Sequence, residues 1–216
     1  MPTTAQRRAA QPSGRRGTPA YGLAQCFPLQ GHWSESDYLA LDAAIENQRQ
    51  IELVNGYLEF LPMPTRMHER IVKFLFVALF EFNRARNLGE VFFSGRKSRL
   101  WEGEMRLPDI LFAFSAHQDA DTEEYAAAAD LVMEVVSGSP KDRKRDLLEK
   151  RANYAKAGIA EYWIVDPGLK QIKVLTLNGG KSYKVYGVFS KGQKAASKLL
   201  KGFEVDVTDA LAGLKQ

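Results

Sequence analysis

The chain reads as an α/β (α+β) domain with a mixed central sheet flanked by helices and a β-hairpin added toward each end. Three observations predict this. Apolar runs and helical periods follow the order hairpin, helix, three strands, helix, strand, hairpin, with no internal repeat. Two of the strand runs are apolar on both faces, as in strands covered from two sides. Asn-Gly and Asn-Gly-Gly steps stand between apolar runs, where tight turns are needed.

The elements follow in chain order. Ser34-Glu35-Ser36-Asp37-Tyr38-Leu39 predicts a short helix with Ser34 as N-cap and Asp37 three residues on. Ile51-Glu52-Leu53-Val54 and Tyr57-Leu58-Glu59-Phe60 flank Asn55-Gly56, a pair suited to the positive φ of a type I′ turn. Pro62 and Pro64 end this hairpin. A helix is predicted from about Arg66 to Asn87, with Met67, Ile71, Phe74, Leu75, Ala78 and Phe82 on one face. Val72, Phe76, Leu79 and Phe80 make its other side apolar too, so burial nearly all round is expected, with Gly89 as terminator. Strands are predicted at 90–94, 107–114 and 131–137. A helix from about Asp142 to Lys156 should stop at Gly158, before a strand Tyr162-Trp163-Ile164-Val165 closed by Asp166-Pro167-Gly168. The last hairpin, 172–177 and 182–188, turns at Asn178-Gly179-Gly180.

A length of 216 residues suits one domain, and 45% hydrophobic with 26% charged residues excludes wholesale disorder or a fibre. No run approaches the ~20 apolar residues of a membrane helix. The single Cys26 forms no internal disulfide and no Cys/His set suits structural zinc, so a reducing cytoplasm is the expected location. Up to His32 the chain carries Arg7, Arg8, Arg15 and Arg16 and no acid, which accounts for the whole net charge of +4. The expected organisation is a flexible basic tail over 1–32 and one domain over 33–216. The tail lacks the apolar stretch of a secretory signal; it reads as a solvated segment able to attract a polyanion, or as a transit peptide. Because the body is formally neutral, the overall charge says little about nucleic acid.

Two acids interrupt apolar strands. Asp109 lies in Leu107-Pro108-Asp109-Ile110-Leu111-Phe112-Ala113-Phe114, and Glu134 in Leu131-Val132-Met133-Glu134-Val135-Val136. A period of two puts Asp109 on the face of Leu111 and Ala113, and Glu134 on that of Val132 and Val136. On neighbouring strands they can converge into a hard-oxygen site for Mg²⁺ or Mn²⁺, able to activate water against a phosphate. The competing reading is a pair of structural acids, each matched to a helix Arg or Lys. Leu147, Lys150, Tyr154 and Ala157 form an inward stripe, which aims Lys150 at the sheet; otherwise Lys150 is an exposed helix lysine paired with Asp146. His68 opens the long helix beside Val72 and Leu75, either as a packing and capping residue or as an accessory of the site. No nucleophile elbow and no Walker or Rossmann glycine loop is present.

Pro108-Asp109, Glu134-Val135-Val136-Ser137, Asp146…Lys150…Tyr154…Gly158 and Glu161-Tyr162-Trp163-Ile164-Val165-Asp166-Pro167 together resemble the Uma-type restriction endonucleases, a mostly bacterial branch of the PD-(D/E)XK nuclease superfamily. Glu52-Leu53-Val54-Asn55-Gly56, His68 and Leu200-Lys201-Gly202-Phe203-Glu204-Val205 extend the likeness to roughly residues 33–213. The resemblance implies a restriction-endonuclease-like core of helix, three strands, helix and strand. It further implies Asp109 and Glu134 as metal ligands, Glu52 as an additional acid of the site, and Lys150 as the catalytic lysine. The superfamily motif places a lysine two residues after the acid, where this chain has Val136, and Lys150 would stand in for it.

Between Asp166 and Glu204 there is no acid but there are eight lysines, interleaved with Tyr183, Tyr186 and Phe189. Lys173, Lys181 and Lys184 with Tyr183 and Tyr186 are candidates to follow a phosphate backbone; lysines on edge strands also guard against edge pairing. The expected activity is Mg²⁺- or Mn²⁺-dependent endonucleolytic hydrolysis of DNA. A homodimer is an expected partner state, because many nucleases cut both strands as dimers. The alternative is a catalytically inactive nuclease-fold module that binds nucleic acid or a protein.

Overall fold

The structure is a computed structural model that describes residues 29–44, 50–93 and 95–213. The expected tail up to residue 28 therefore lies outside the described residues. Of the described residues before 33, the Gln30 side chain both donates to Leu58 O at 3.0 Å and accepts from Leu58 N at 2.7 Å. Those bonds tie Gln30 to the first hairpin as an added strand residue would be.

Helix α1 (Glu35–Ala44) starts on the expected cap, with Ser34 Oγ accepting from Asp37 N at 3.1 Å. Strands β1 (Ile51–Val54) and β2 (Tyr57–Phe60) pair antiparallel around Asn55 and Gly56 at φ 49° and 78°. Helix α2 (Arg66–Arg84) begins at Thr65, whose hydroxyl accepts from His68 N at 3.2 Å. It buries Ile71, Val72, Leu75 and Leu79, while Met67, Val77 and Phe80 are exposed. The expected burial all round is thus corrected: one face meets a sheet and nothing described covers the other. Gly89 is not a helix terminator but the first residue of β3 (Gly89–Phe93), where an added Cβ would lie 2.0 Å from Ala113 O. Only glycine lets the two strands approach so closely.

The sequence reading missed a hairpin, β4 (Lys97–Trp101) and β5 (Glu104–Arg106). The second predicted strand starts later than expected, as β6 (Ile110–Phe114); Pro108 has no N–H to give a ladder. The acidic stretch 119–130 carries bends and the two-residue β7 (Tyr125–Ala126). Next come β8 (Leu131–Val135), α3 (Pro140–Lys144), a π-helical turn (Arg145–Glu149) and α4 (Lys150–Ala157), ended as predicted at Gly158 with φ 87°. Then follow β9 (Glu161–Asp166), β10 (Gln171–Leu177), β11 (Tyr183–Ser190), β12 (Lys194–Ala196), β13 (Glu204–Asp206) and α5 (Val207–Ala212).

Two sheets organise the molecule. The larger has the order β11-β10-β9-β8-β6-β3, with only β8 and β9 parallel; the smaller has the order β2-β1-β5-β4-β7. Ile110, Phe112, Met133 and Trp163 face α2 and α5 on one side of the larger sheet. Val132, Tyr162 and Ile164 face Tyr154 and Ala155 of α4 on the other. At about 1.5–3 kcal/mol per fully buried large apolar side chain, these two layers supply most of the driving force. They also leave the end of the sheet where β8 stops and β6 starts free to carry polar groups. No helix among the described residues is long and apolar enough to cross a membrane.

Candidate active site

The register Ile110↔Met133 puts Asp109 next to Glu134 at that end of the sheet. With Pro108 interrupting the strand, the Asp109 side chain takes over the ladder: its Oδ2 accepts from Val135 N at 2.7 Å. His68 Nε2 lies 3.2 Å from the same oxygen. Glu134 points to the α4 side, as its shared face with Val132 and Val136 requires. Its Oε1 accepts from Lys150 Nζ at 2.9 Å and from Tyr154 OH at 2.6 Å. Asp109 Oδ1 and Glu134 Oε2 receive no hydrogen bond among the described residues. Both residues line a cleft with room of about 30 Å³, enough for an ion and a water or two. The cleft opens into a larger hollow of about 450 Å³ between Met63 and Gly168.

Lys150 sits on the predicted inward stripe and is 1% exposed. A π-helical turn immediately before it, a feature common at functional sites, brings Asp146 into the interior on the same side, 2% exposed. Lys150 Nζ also lies 3.0 Å from Glu52 Oε1. Of its three donors, two are engaged and one remains. Burial works against its charge, but Glu134, Glu52 and Asp146 outweigh that and hold it firmly protonated. The two carboxylates it serves differ. Burial tends to raise Glu52, yet Lys150, Arg106 and the Leu107 N–H bring it below the ordinary value. Glu134 is pushed up to about 8, chiefly by burial, with Asp109, Asp146 and Glu52 adding to the rise against the pull of Lys150.

Glu52, expected as an additional acid of the site, stands behind the cleft and does not line it. It is fully buried on β1, with Oε1 taken by Leu107 N at 2.9 Å and Lys150, and Oε2 by Arg106 NH1 at 2.9 Å. The sequence reading missed Arg106, 1% exposed, which spans Glu52 and Glu104. Glu104 in turn accepts from Asn153 of α4 and from Asn55 N. Glu134, Lys150, Glu52, Arg106 and Glu104 thus form one buried chain of alternating charge between the two sheets. Arg106 alternates with Glu104 on a short strand, but nothing in that spacing says that Glu52 completes the pair. Tyr154 stood on the stripe, without a sign that its hydroxyl would reach Glu134.

Val136, at the motif's lysine position, packs in the apolar layer beside Tyr154. His68 Nδ1 is buried without a hydrogen-bond partner among the described residues, and its ring lines both the cleft and the hollow. Burial tends to lower the His68 pKa, but Asp109 raises it above the ordinary value.

The basic hairpin divides. Leu177↔Tyr183 and Thr176↔Lys184 pair beside Glu161, at the end of β9 away from the carboxylates. Lys181 lies in the loop beyond; measured along the strands, Lys184 is about 10 Å from the level of Glu134, and Lys181 is farther still. Tyr183 is corrected outright: it is buried, with its hydroxyl donating to Ile159 O at 2.7 Å. Lys173 sits at the level of Ile164 and hence of Glu134, two strands over, and Tyr186 is exposed on β11.

Among the described residues no cluster of three or more His, Cys, Asp or Glu is arranged to hold a metal. Two carboxylates with open oxygens are nevertheless a sufficient protein contribution for Mg²⁺, which keeps several waters and takes further oxygens from a phosphate. The donor set therefore fits a hard divalent ion.

A family model described as "Uma2: Putative restriction endonuclease" matches residues 35–208. Among solved structures, that of a putative nuclease belonging to DUF820 from Anabaena variabilis is similar, with a TM-score of 0.64 at 15% identity over 81% of this chain and 97% of that one. No curated protein matches. At that identity the structural likeness speaks for the fold.

Proposed function

From the premise that this chain belongs to the Uma2 family of putative restriction endonucleases, we propose that it hydrolyses DNA phosphodiester bonds with Mg²⁺ or Mn²⁺. The observation that carries this is the pair of adjacent carboxylates, each keeping one open oxygen on a shared cleft. Asp109 and Glu134 would hold the ion, which supplies an activated water and charge stabilisation when bound.

The chain's own residues do the rest. Lys150 and Tyr154 lock Glu134 Oε1 and leave Oε2 for the cleft. Val135 N and His68 lock Asp109 in the same manner. Lys150 keeps one donor for a phosphate oxygen or for the attacking water, and its positive charge lies where negative charge grows on the phosphate. Glu52 acts by orienting and charging Lys150. His68 Nδ1, a buried group without a partner among the described residues, is the kind of exception that calls for an explanation; a substrate oxygen would supply one.

The test is cleavage of labelled single-stranded, duplex and branched DNA with Mn²⁺. Wild type should cut, EDTA should stop it, and Asp109→Ala should lose about 10³-fold in rate, the equivalent of roughly 4 kcal/mol. Equal cutting by folded Asp109→Ala would overturn the reading. Binding without turnover by wild type would favour the inactive module.

A further inference from the structure

The strand order brings a second set of residues to the carboxylate end of the larger sheet. Strand β9 runs parallel to β8 and ends at Asp166; β10 starts and β11 ends beside it, through Gln171↔Asp166 and Gln171↔Ser190. The turns just beyond carry Lys170 and Lys191. These two lysines, with Met67, Pro167, Thr208 and Leu211, line a hollow of about 380 Å³. Met67 and Pro167 also line the hollow that opens from the candidate site, so the two adjoin across these residues. The result is a trough that runs from Asp109 and Glu134 around the sheet end to Lys170 and Lys191.

The Lys170–Lys191 end carries charge of one sign, while the hollow between it and the carboxylates is lined by both Asp142 and Arg143. No carboxylate lines the Lys170–Lys191 hollow, and neither lysine forms an ion pair among the described residues. Lys194 nearby, by contrast, is matched to Glu204. The nearest acid of the turn, Asp166, is already taken by Arg143 NH1 and NH2 at 3.1 and 2.7 Å. Lys170 stands at φ 52°, a left-handed position that glycine or asparagine fills with less strain. The Lys191 turn is pinned by Gly192 N donating to Thr208 Oγ1 at 3.0 Å. Met67 is 46% exposed and forms an apolar floor between the two ends.

We propose that this trough carries one DNA strand away from the cleavage site, with Lys170 and Lys191 holding its backbone phosphates and Met67 and Pro167 against its sugars and bases. Three strand spacings separate β8 from β11, about 14 Å, or about four nucleotides at the 3.4 Å rise per strand of B-DNA. The lysines therefore grip the strand a few nucleotides from the bond that is cut. This reading replaces Lys181 and Lys184, at the far end of the sheet, as the phosphate contacts.

The inference rests on DNA being the substrate, yet binding and cutting can be scored apart. Fluorescence anisotropy of a fluorescein-labelled single strand and its duplex would be followed across roughly 50–200 mM salt. The Asp109→Ala chain serves as the background so that nothing is cut. Lys170→Asn with Lys191→Gln, the first suited to a left-handed position, should weaken binding several-fold. It should also lower the salt slope by about 1.4 for the single strand and about 1.8 for the duplex, the release expected for two phosphates. Lys181→Gln with Lys184→Gln should leave the slope unchanged. An unchanged slope in the first pair, the same loss in the second, or no binding at all in the parent would each overturn the trough. Binding with the expected slopes but no cleavage by wild type would leave the trough standing and remove the hydrolase.

Discussion

Glu134 and Glu161 are buried glutamates on neighbouring parallel strands, at opposite ends of β8 and β9. Glu161 receives four donors: Trp163 Nε1 at 2.7 Å, Ser197 Oγ at 2.6 Å, and the N–H groups of Lys198 and Leu199 at 2.8 Å each. Both of its oxygens are engaged, by neutral groups, and the segment 197–199 is thereby fixed to the sheet. Glu134 receives two donors, both on one oxygen, one of them a lysine shared with a second carboxylate. Its other oxygen opens on a cleft. Burial is common to both, so burial does not mark the functional acid. The number of lone pairs left open does.

The largest effect expected is at the charged side of this pair. Lys150→Met takes from the fully buried Glu52 one of the two cations that hold it ionised, a loss of about 3–5 kcal/mol in stability, read as a lower urea midpoint together with lost cleavage. A small loss would mean that Arg106 and the Leu107 N–H are enough for Glu52. Next, Glu161→Ala strands four donors and should cost about 3 kcal/mol, while DNA cutting per folded molecule stays at the wild-type rate. If cutting instead fell as far as in Asp109→Ala, the distinction between the two glutamates would collapse.

The smallest effect concerns Asp166, a third buried acid with its oxygens engaged. Burial tends to raise its carboxyl, but the Arg143 hydrogen bonds and the Leu169 N–H hold it below the ordinary value. A carboxyl held low stabilises the fold above its unfolded value of about 3.9 and loses that contribution as pH falls through its folded value. Asp166→Asn should therefore cost about 1.5 kcal/mol near neutrality, with the gap to wild type closing below about pH 3.9. A gap that persists in acid would assign the contribution to shape rather than charge.

The parts of this architecture set by local rules were legible in the sequence. Asn55-Gly56, Ser34 and Gly158 mark their turn and helix ends directly, and a single acid in an apolar strand is conspicuous at Asp109 and at Glu134. The stripe placed Lys150 inward because four residues of one helix fix a face. What stayed hidden depends on chains meeting in space. Arg106 is one charged residue in a polar hairpin until Glu52, from a different hairpin, closes on it. Lys181 and Lys184 stand out by charge density along the chain, which does not say which end of a sheet a turn occupies. Lys170 and Lys191 are no more basic than their neighbours; strand order alone sets them at the carboxylate end of the sheet. The π-helical turn shifts the inward face by a fraction of a turn, which no hydrophobic period reveals.

The chain of alternating charge that links the two sheets bears on where the working unit ends. A shortened chain starting at Pro62 would retain every strand and helix of the nuclease-like core and, apart from Gln50 and Leu61, the residues that border the cleft. It would lose Glu52, and with it the only anion among the described residues common to Lys150 and Arg106. The first hairpin contacts no substrate in the arrangement proposed above, yet the core cannot be trimmed of it without leaving two interior cations short of an anion. Anyone grafting this site onto another scaffold inherits the same requirement: the smallest portable piece is defined by electroneutrality of its interior, and it begins some way upstream of the first residue that a strand-by-strand comparison would keep.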